Sequence, residues 1–152
     1  MHHSSKNRQQ GFGLVESLVA LVVISVGMIG IAALYGQGIG ASRTAFYRTV
    51  AVNLTADMAD RIRVNRIAGA AYAGGEGDNG CDSGDECSPD EMAAHELLRW
   101  NAQVQDQLPG GESEILFAPG TPPTYTIRVQ WDEPSAEEGF VEQELVIQIP
   151  DI

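Results

Sequence analysis

The run from Phe12 to Ser42, FGLVESLVALVVISVGMIGIAALYGQGIGAS, contains one charged side chain, Glu16. About 20 largely apolar residues in a helix suffice to cross a hydrocarbon layer of roughly 30 Å, and residues 14–34 alone supply them. By length and composition this is a membrane segment, so the chain is expected to pair a membrane helix with one small domain. Lys6 and Arg8 stand just before the run. By the positive-inside rule they favour a cytoplasmic N terminus, with Arg43 and Arg48 beyond the run working against it. The remainder then faces the periplasm.

A secretory signal is cut after its apolar stretch, whereas here the expected processing point lies before it. The polar leader would be removed and the apolar helix retained. Three features meet at this junction: a short basic leader ending in Gly11, an apolar Phe12, and a carboxylate at Glu16. A lone carboxylate one turn into a membrane helix costs a few kcal/mol on insertion scales, so it marks a function or a partner. The structural alternative sets Glu16 at the headgroup boundary, where the helix dipole tolerates it.

The segment Gly11-Phe12-Gly13-Leu14-Val15-Glu16 resembles the processing motif of the type IV prepilin family. That resemblance implies cleavage between Gly11 and Phe12 by a prepilin peptidase and N-methylation of Phe12. It also implies that Glu16 faces the new α-amino group of Phe12 on a neighbouring subunit, setting register.

Beyond the membrane segment, residues 43–66 place Phe46, Val50, Leu54, Met58 and Ile62 at helical spacing, with Ala45, Val52, Ala56, Ala59 and Arg63 on a second face. The helix is therefore expected to continue to about Asn65. At about 1.5 Å per residue this makes a rod of roughly 80 Å. Gly27, Gly30, Gly36, Gly38 and Gly40 are dense for a helix. They would allow close helix approach, and would be an extensible region when the subunit enters a fibre. Pilins share this plan, half of the helix in membrane or fibre core and half against a small sheet. The resemblance is strong over residues 6–66, and within the family it is nearest to minor pilins of the PilV type. It rests there on GFGLVESLVALVVISVGMIGIAALY, NLTADMADRIRVNR, a cysteine loop, and a helix with Trp100 before Leu108-Pro109-Gly110-Gly111. Such subunits imply partners: the prepilin peptidase, other minor pilins, the major pilin, a tip adhesin and the inner membrane.

Charge separates the chain further. Residues 1–11 carry +2, residues 12–66 +2, and residues 67–152 −16, for a net −12. Such acidity excludes broad nucleic-acid binding, which needs a surplus of Lys and Arg. The expected organisation is a cleaved leader (1–11), a membrane or fibre-core half-helix (12–42), a periplasmic half-helix (43–66) and an acidic head (67–152).

In the head, residues 68–91 read as a loop rich in Gly and Asp. Cys81 and Cys87, with five residues between them, suit a disulfide or two soft metal ligands, and a periplasmic head selects the disulfide. Asp78, Asp82, Asp85 and Glu86 suggest calcium, but Gly80 breaks the EF-hand alternation, and a solvated acidic loop without metal is expected. Ser88-Pro89-Asp90-Glu91 is a helix start with a capping box, followed by Ala93, Leu97, Trp100, Val104 and Leu108 on one face. His95 lies off that stripe and is expected to be exposed. TYTIRVQW (124–131) and FVEQELVIQI (140–149) alternate as a hairpin, with Ile115–Ala118 as a third strand. Their other face carries Arg128, Glu142, Glu144 and Gln148. The expected fold is α+β, a pilin-like lollipop of long helix, second short helix and small antiparallel sheet.

No catalytic residues or cofactor are expected. After processing, one histidine and no lysine remain, with no nucleophile motif or phosphate loop. The chain is expected to be a substrate of the peptidase and a minor pilin, in the inner membrane with a periplasmic head and then in a fibre or its tip. A minor pseudopilin of a type II secretion system shares the processing motif and is the alternative.

Overall fold

The computed structural model describes residues 13–81, 86–133 and 136–150. The chain divides into two compact units, residues 1–42 and 43–152, and the helix α1 (Leu14–Val64) supplies turns to both.

In the first unit every described residue is exposed. Leucine, valine and isoleucine line all sides, so no apolar stripe develops and nothing within the unit is there to cover one. The Ser25 hydroxyl donates to the Leu21 carbonyl at 2.7 Å and that of Ser42 to Gly38 at 2.9 Å. This back-bonding satisfies hydroxyls within the helix itself, as an apolar surrounding demands.

The second unit is α+β. After α1 come a 3-10 helix (Arg66–Ala73), α2 (Pro89–Gln107), and strands β1 (Glu112–Ala118), β2 (Thr124–Asp132) and β3 (Phe140–Gln148). The strands form one antiparallel sheet in the order β1-β2-β3. Ile127 of β2 pairs with Ile115 of β1 and with Leu145 of β3. The central strand puts Tyr125, Ile127, Val129 and Trp131 into the core, all fully buried, with Ile115 and Ile147 beside them. Against this face lie Leu54, Met58 and Ile62 of α1 and Leu97, Trp100 and Val104 of α2. Trp100 Nε1 donates to the Leu54 carbonyl at 3.0 Å, a buried tie between the two helices.

Local chemistry sets the ends of α2. Ser88 is extended and its hydroxyl accepts from Glu91 N–H at 3.3 Å, while Glu91 Oε2 accepts from Ser88 N–H at 2.9 Å, completing the box around Pro89. Those Ser88 donors, the backbone N–H first, hold the Glu91 carboxyl below its ordinary pKa. At the other end Gly110 takes φ +60° and Gly111 N–H donates to Leu108 at 3.1 Å. A Cβ at Gly111 would run into the Val104 carbonyl, so the turn needs glycine for room.

Four expectations change. The apolar stripe on α1 does not begin at Phe46, which is 62% exposed; Tyr47 and Ala51 pack instead, leading into Leu54, Thr55, Met58, Ala59 and Ile62. Spacing of four residues turns a helix face by about 40° per step, so the line through Ile62, Met58 and Leu54, traced back to Phe46, has left the packing surface. Residues 68–73 are not loop but belong to the 3-10 helix, whose Ala68 and Tyr72 are buried. β1 begins at Glu112 rather than Ile115. His95 is buried, at 6% exposure. The segment 76–79 runs along α2 and covers it: Gly77 N–H donates to Ala94 O (3.0 Å), Asn79 Nδ2 to Glu91 O (3.0 Å), and Asn101 Nδ2 to Glu76 (3.0 Å). Asp78 Oδ1 comes within 3.6 Å of His95 Nδ1.

Candidate functional site

Of the residues singled out at the processing junction, Gly11 and Phe12 lie outside the described residues. Glu16 lies within them, in the first turn of α1, and is exposed. Gly13 starts the helix, its carbonyl accepting from Glu16 N–H at 3.0 Å and Ser17 N–H at 3.3 Å. The side chain stands at the positive end of the helix dipole, which favours a carboxylate there. From Glu16 the next charged residue is Arg43. Between them lies an 18-residue window of mean hydropathy 2.6, none of it buried within the chain. A soluble protein seldom leaves so long an apolar surface open, and such a surface marks contact with lipid or with other protein.

This combination has a counterpart among known protein families: a family model described as the prokaryotic N-terminal methylation motif matches residues 6–32. The chain carries a prepilin-type N-terminal methylation motif. The motif supports the type IV pilin and pseudopilin group as a whole and, with its apolar helix, membrane anchoring. It also implies processing by a prepilin peptidase and, in general terms, pilin-like assembly partners. No curated protein and no solved structure matches the chain.

Among the described residues the head carries no comparable concentration of chemistry. Cys81 and Cys87 form a disulfide with Cα atoms 6.0 Å apart, next to the Ser88 cap of α2. Of the acidic loop cluster, Asp82 and Asp85 lie outside the described residues and Asp78 is exposed. Among the described residues no group of three or more His, Cys, Asp or Glu side chains converges as metal ligands.

Two features of the head were not visible in the sequence. The Tyr72 hydroxyl donates to Glu96, with the Arg61 carbonyl at 3.4 Å, joining the 3-10 helix to α2 and α1. Burial first, and then the Glu96 carboxylate, push this phenol well above the usual tyrosine range. Arg48 Nη2 meets the largely buried Glu133 Oε1 at 3.3 Å, tying α1 to the connection between β2 and β3. Neither pair has a spacing that would announce it, since the partners are 24 and 85 residues apart.

The outer face of the sheet is organised by charge. Cross-strand rows set Glu114, Arg128 and Glu144 side by side, then Glu112, Gln130 and Glu142. Arg128 Nε donates to Glu144 at 2.8 Å, and Nη1 lies 3.4 Å from Glu114. The Glu144 bond, foremost among several causes, raises the guanidinium pKa further. Leu116 and Val146 flank Thr126 in the adjacent row and both are exposed.

Proposed function

We propose that this chain is a minor pilin subunit of a type IV pilus, most similar to PilV, that acts in initiating the fibre or in its tip complex. The methylation motif over residues 6–32 is the observation that carries the reading, and the bare helix from Leu14 supports it. On this reading prepilin peptidase removes residues 1–11, the exposed Phe12 amine is methylated, and residues 12–42 lie first in the inner membrane and then in the fibre core. Residues 43–66 and 67–152 form the periplasmic part, the half-helix 43–66 held to the acidic head 67–152 by the Arg48–Glu133 pair and the shared core. Glu16 neutralises the Phe12 amine of a neighbour, an ion pair that is strong in an apolar surrounding and rejects other registers. The neighbours are other minor pilins and the major pilin, with a tip adhesin beyond them. The chain performs no catalysis and is itself the peptidase's substrate.

Intact mass and N-terminal sequencing from cells with and without prepilin peptidase test the processing. Loss of residues 1–11 and a methylated Phe12, only where the peptidase is present, is the expected result; an uncut chain in both overturns it. Glu16→Ala is expected to be cut normally yet to be missing from sheared fibres. Deletion of the gene distinguishes the pilus from a secretion pseudopilus: loss of piliation with secretion intact is expected, and the reverse would move the chain to the type II system.

A further inference from the structure

We propose that the free edge of β3 is a docking site for an extended, basic strand of another protein, which would join the sheet as its fourth strand. β3 is an edge of nine residues. Its pairing with β2 is continuous from Thr124↔Gln148 to Asp132↔Phe140, with no bulge to bend the edge away. Alternate residues of an antiparallel strand direct N–H and C=O away from their partner. Among the described residues no strand pairs with those groups. Natural edges are blunted by proline, charged side chains, bulges or very short length; β3 has no proline, lysine or bulge, and its one such device is the pair Glu142 and Glu144, which act against some partners and not others.

The side chains at this edge are also incompletely covered. On the core side Val141 and Leu145 are half-buried, whereas the matching residues of β2 are fully buried. On the outer side Val146 is 52% exposed and Phe140 is exposed as well. An added strand with apolar residues at alternate positions would cover Val141 and Leu145 while its backbone bonds to the edge, the mode known as β-strand addition.

Charge selects the occupant. Glu142 and Glu144 project on the outer face of β3, with Glu112 and Glu114 on the same face and Arg128 the single cation among these five. A second copy pairing antiparallel through its own β3, centred on Gln143, would set Glu142 opposite Glu144 twice, and like charges directly opposed are unfavourable. The same two glutamates favour Lys or Arg at alternate positions of an incoming strand. Rejection of self and attraction of a basic strand thus come from one pair of residues. The inference stands apart from the fibre assignment, because it rests on the head alone.

The test is hydrogen exchange of the full chain in detergent micelles, with a short synthetic peptide alternating valine and lysine as the probe. Slowed exchange at alternate amides of β3, absent with a peptide alternating valine and glutamate, is expected. The Glu142→Gln/Glu144→Gln variant is expected to lose this preference, and the Glu142→Lys/Glu144→Lys variant to reverse it, with β2 amides as protected as in the parent. Equal protection by both peptides, or by neither, overturns the proposal. Protection of β3 that grows with protein concentration in the absence of peptide also overturns it, by making a second copy the occupant.

Discussion

Two tryptophans show how much a single polar atom decides at the residue scale. Trp100 and Trp131 are both fully buried, but Trp100 Nε1 donates to the Leu54 carbonyl, while Trp131 Nε1 has no hydrogen-bond partner among the described residues. Trp100→Phe therefore removes a buried hydrogen bond, at a cost of about 0.5–1.5 kcal/mol beyond the lost volume, while the Leu54 carbonyl keeps its place in the helical ladder of α1. Trp131→Phe loses volume only. Urea denaturation in micelles is expected to show the larger loss for Trp100→Phe, and equal losses would remove the tie from the account. Tyr72 supplies a second test. Its folded pKa is raised, so the stability it contributes is complete below the ordinary tyrosine pKa and fades as pH climbs above it. Alkaline titration of Tyr72→Phe is expected to leave a stability curve that falls less steeply in that window than the parent's.

Among the elements, α2 owes its boundaries to a few residues. The Glu91 carboxyl is held below its ordinary pKa by the Ser88 donors. The capping contribution is therefore full above the unfolded glutamate pKa and is lost as pH falls through the lower folded value. Ser88→Ala is expected to cost about 1 kcal/mol near neutrality. On acidification the gap to the parent should narrow without closing, because the variant keeps the Ser88 backbone donor and only the hydroxyl's bond to the carboxylate is lost with protonation, a trend that denaturation at stepped pH would reveal. Gly111→Ala forces a Cβ against the backbone of Val104 and is expected to destabilise more than Ser88→Ala. These ends were legible because capping boxes and Pro-Gly-Gly turns act through near neighbours. The strands were legible for a similar reason: Tyr125, Ile127, Val129 and Trp131 alternate, and a sheet with one covered face imposes that period. His95 and residues 68–73 were not legible. Burial of His95 comes from segment 76–79 lying over α2, and burial of Tyr72 from packing against two helices, neither of which leaves a local period. Phe46 failed for the opposite reason, a local period that holds from Leu54 to Ile62 but was extended too far back along a helix whose packed face turns. At the processing junction the signal was local as well, and the motif match over residues 6–32 covers the same stretch.

For the molecule as a whole, charge and apolar surface are divided between the two units. Residues 67–152 carry −16, and such a concentration of like charge opposes compactness. Added salt screens that repulsion, with a Debye length of about 8 Å at physiological strength. The melting temperature of the full chain in micelles is therefore expected to rise with sodium chloride, whereas an unchanged or falling value would mean that the head's ion pairs outweigh its repulsion. The ties that close the head are far apart in the chain: Trp100 reaches back 46 residues to Leu54, Tyr125 back 56 to Gly69, and Glu133 back 85 to Arg48. A chain delivered from its N terminus can make none of them early. Leu54, Met58 and Ile62 must wait, wet and uncovered, until the last hairpin has emerged to lie against them, so the interval between the arrival of α1 and that of β3 is when the protein is most exposed to proteases and to wrong partners.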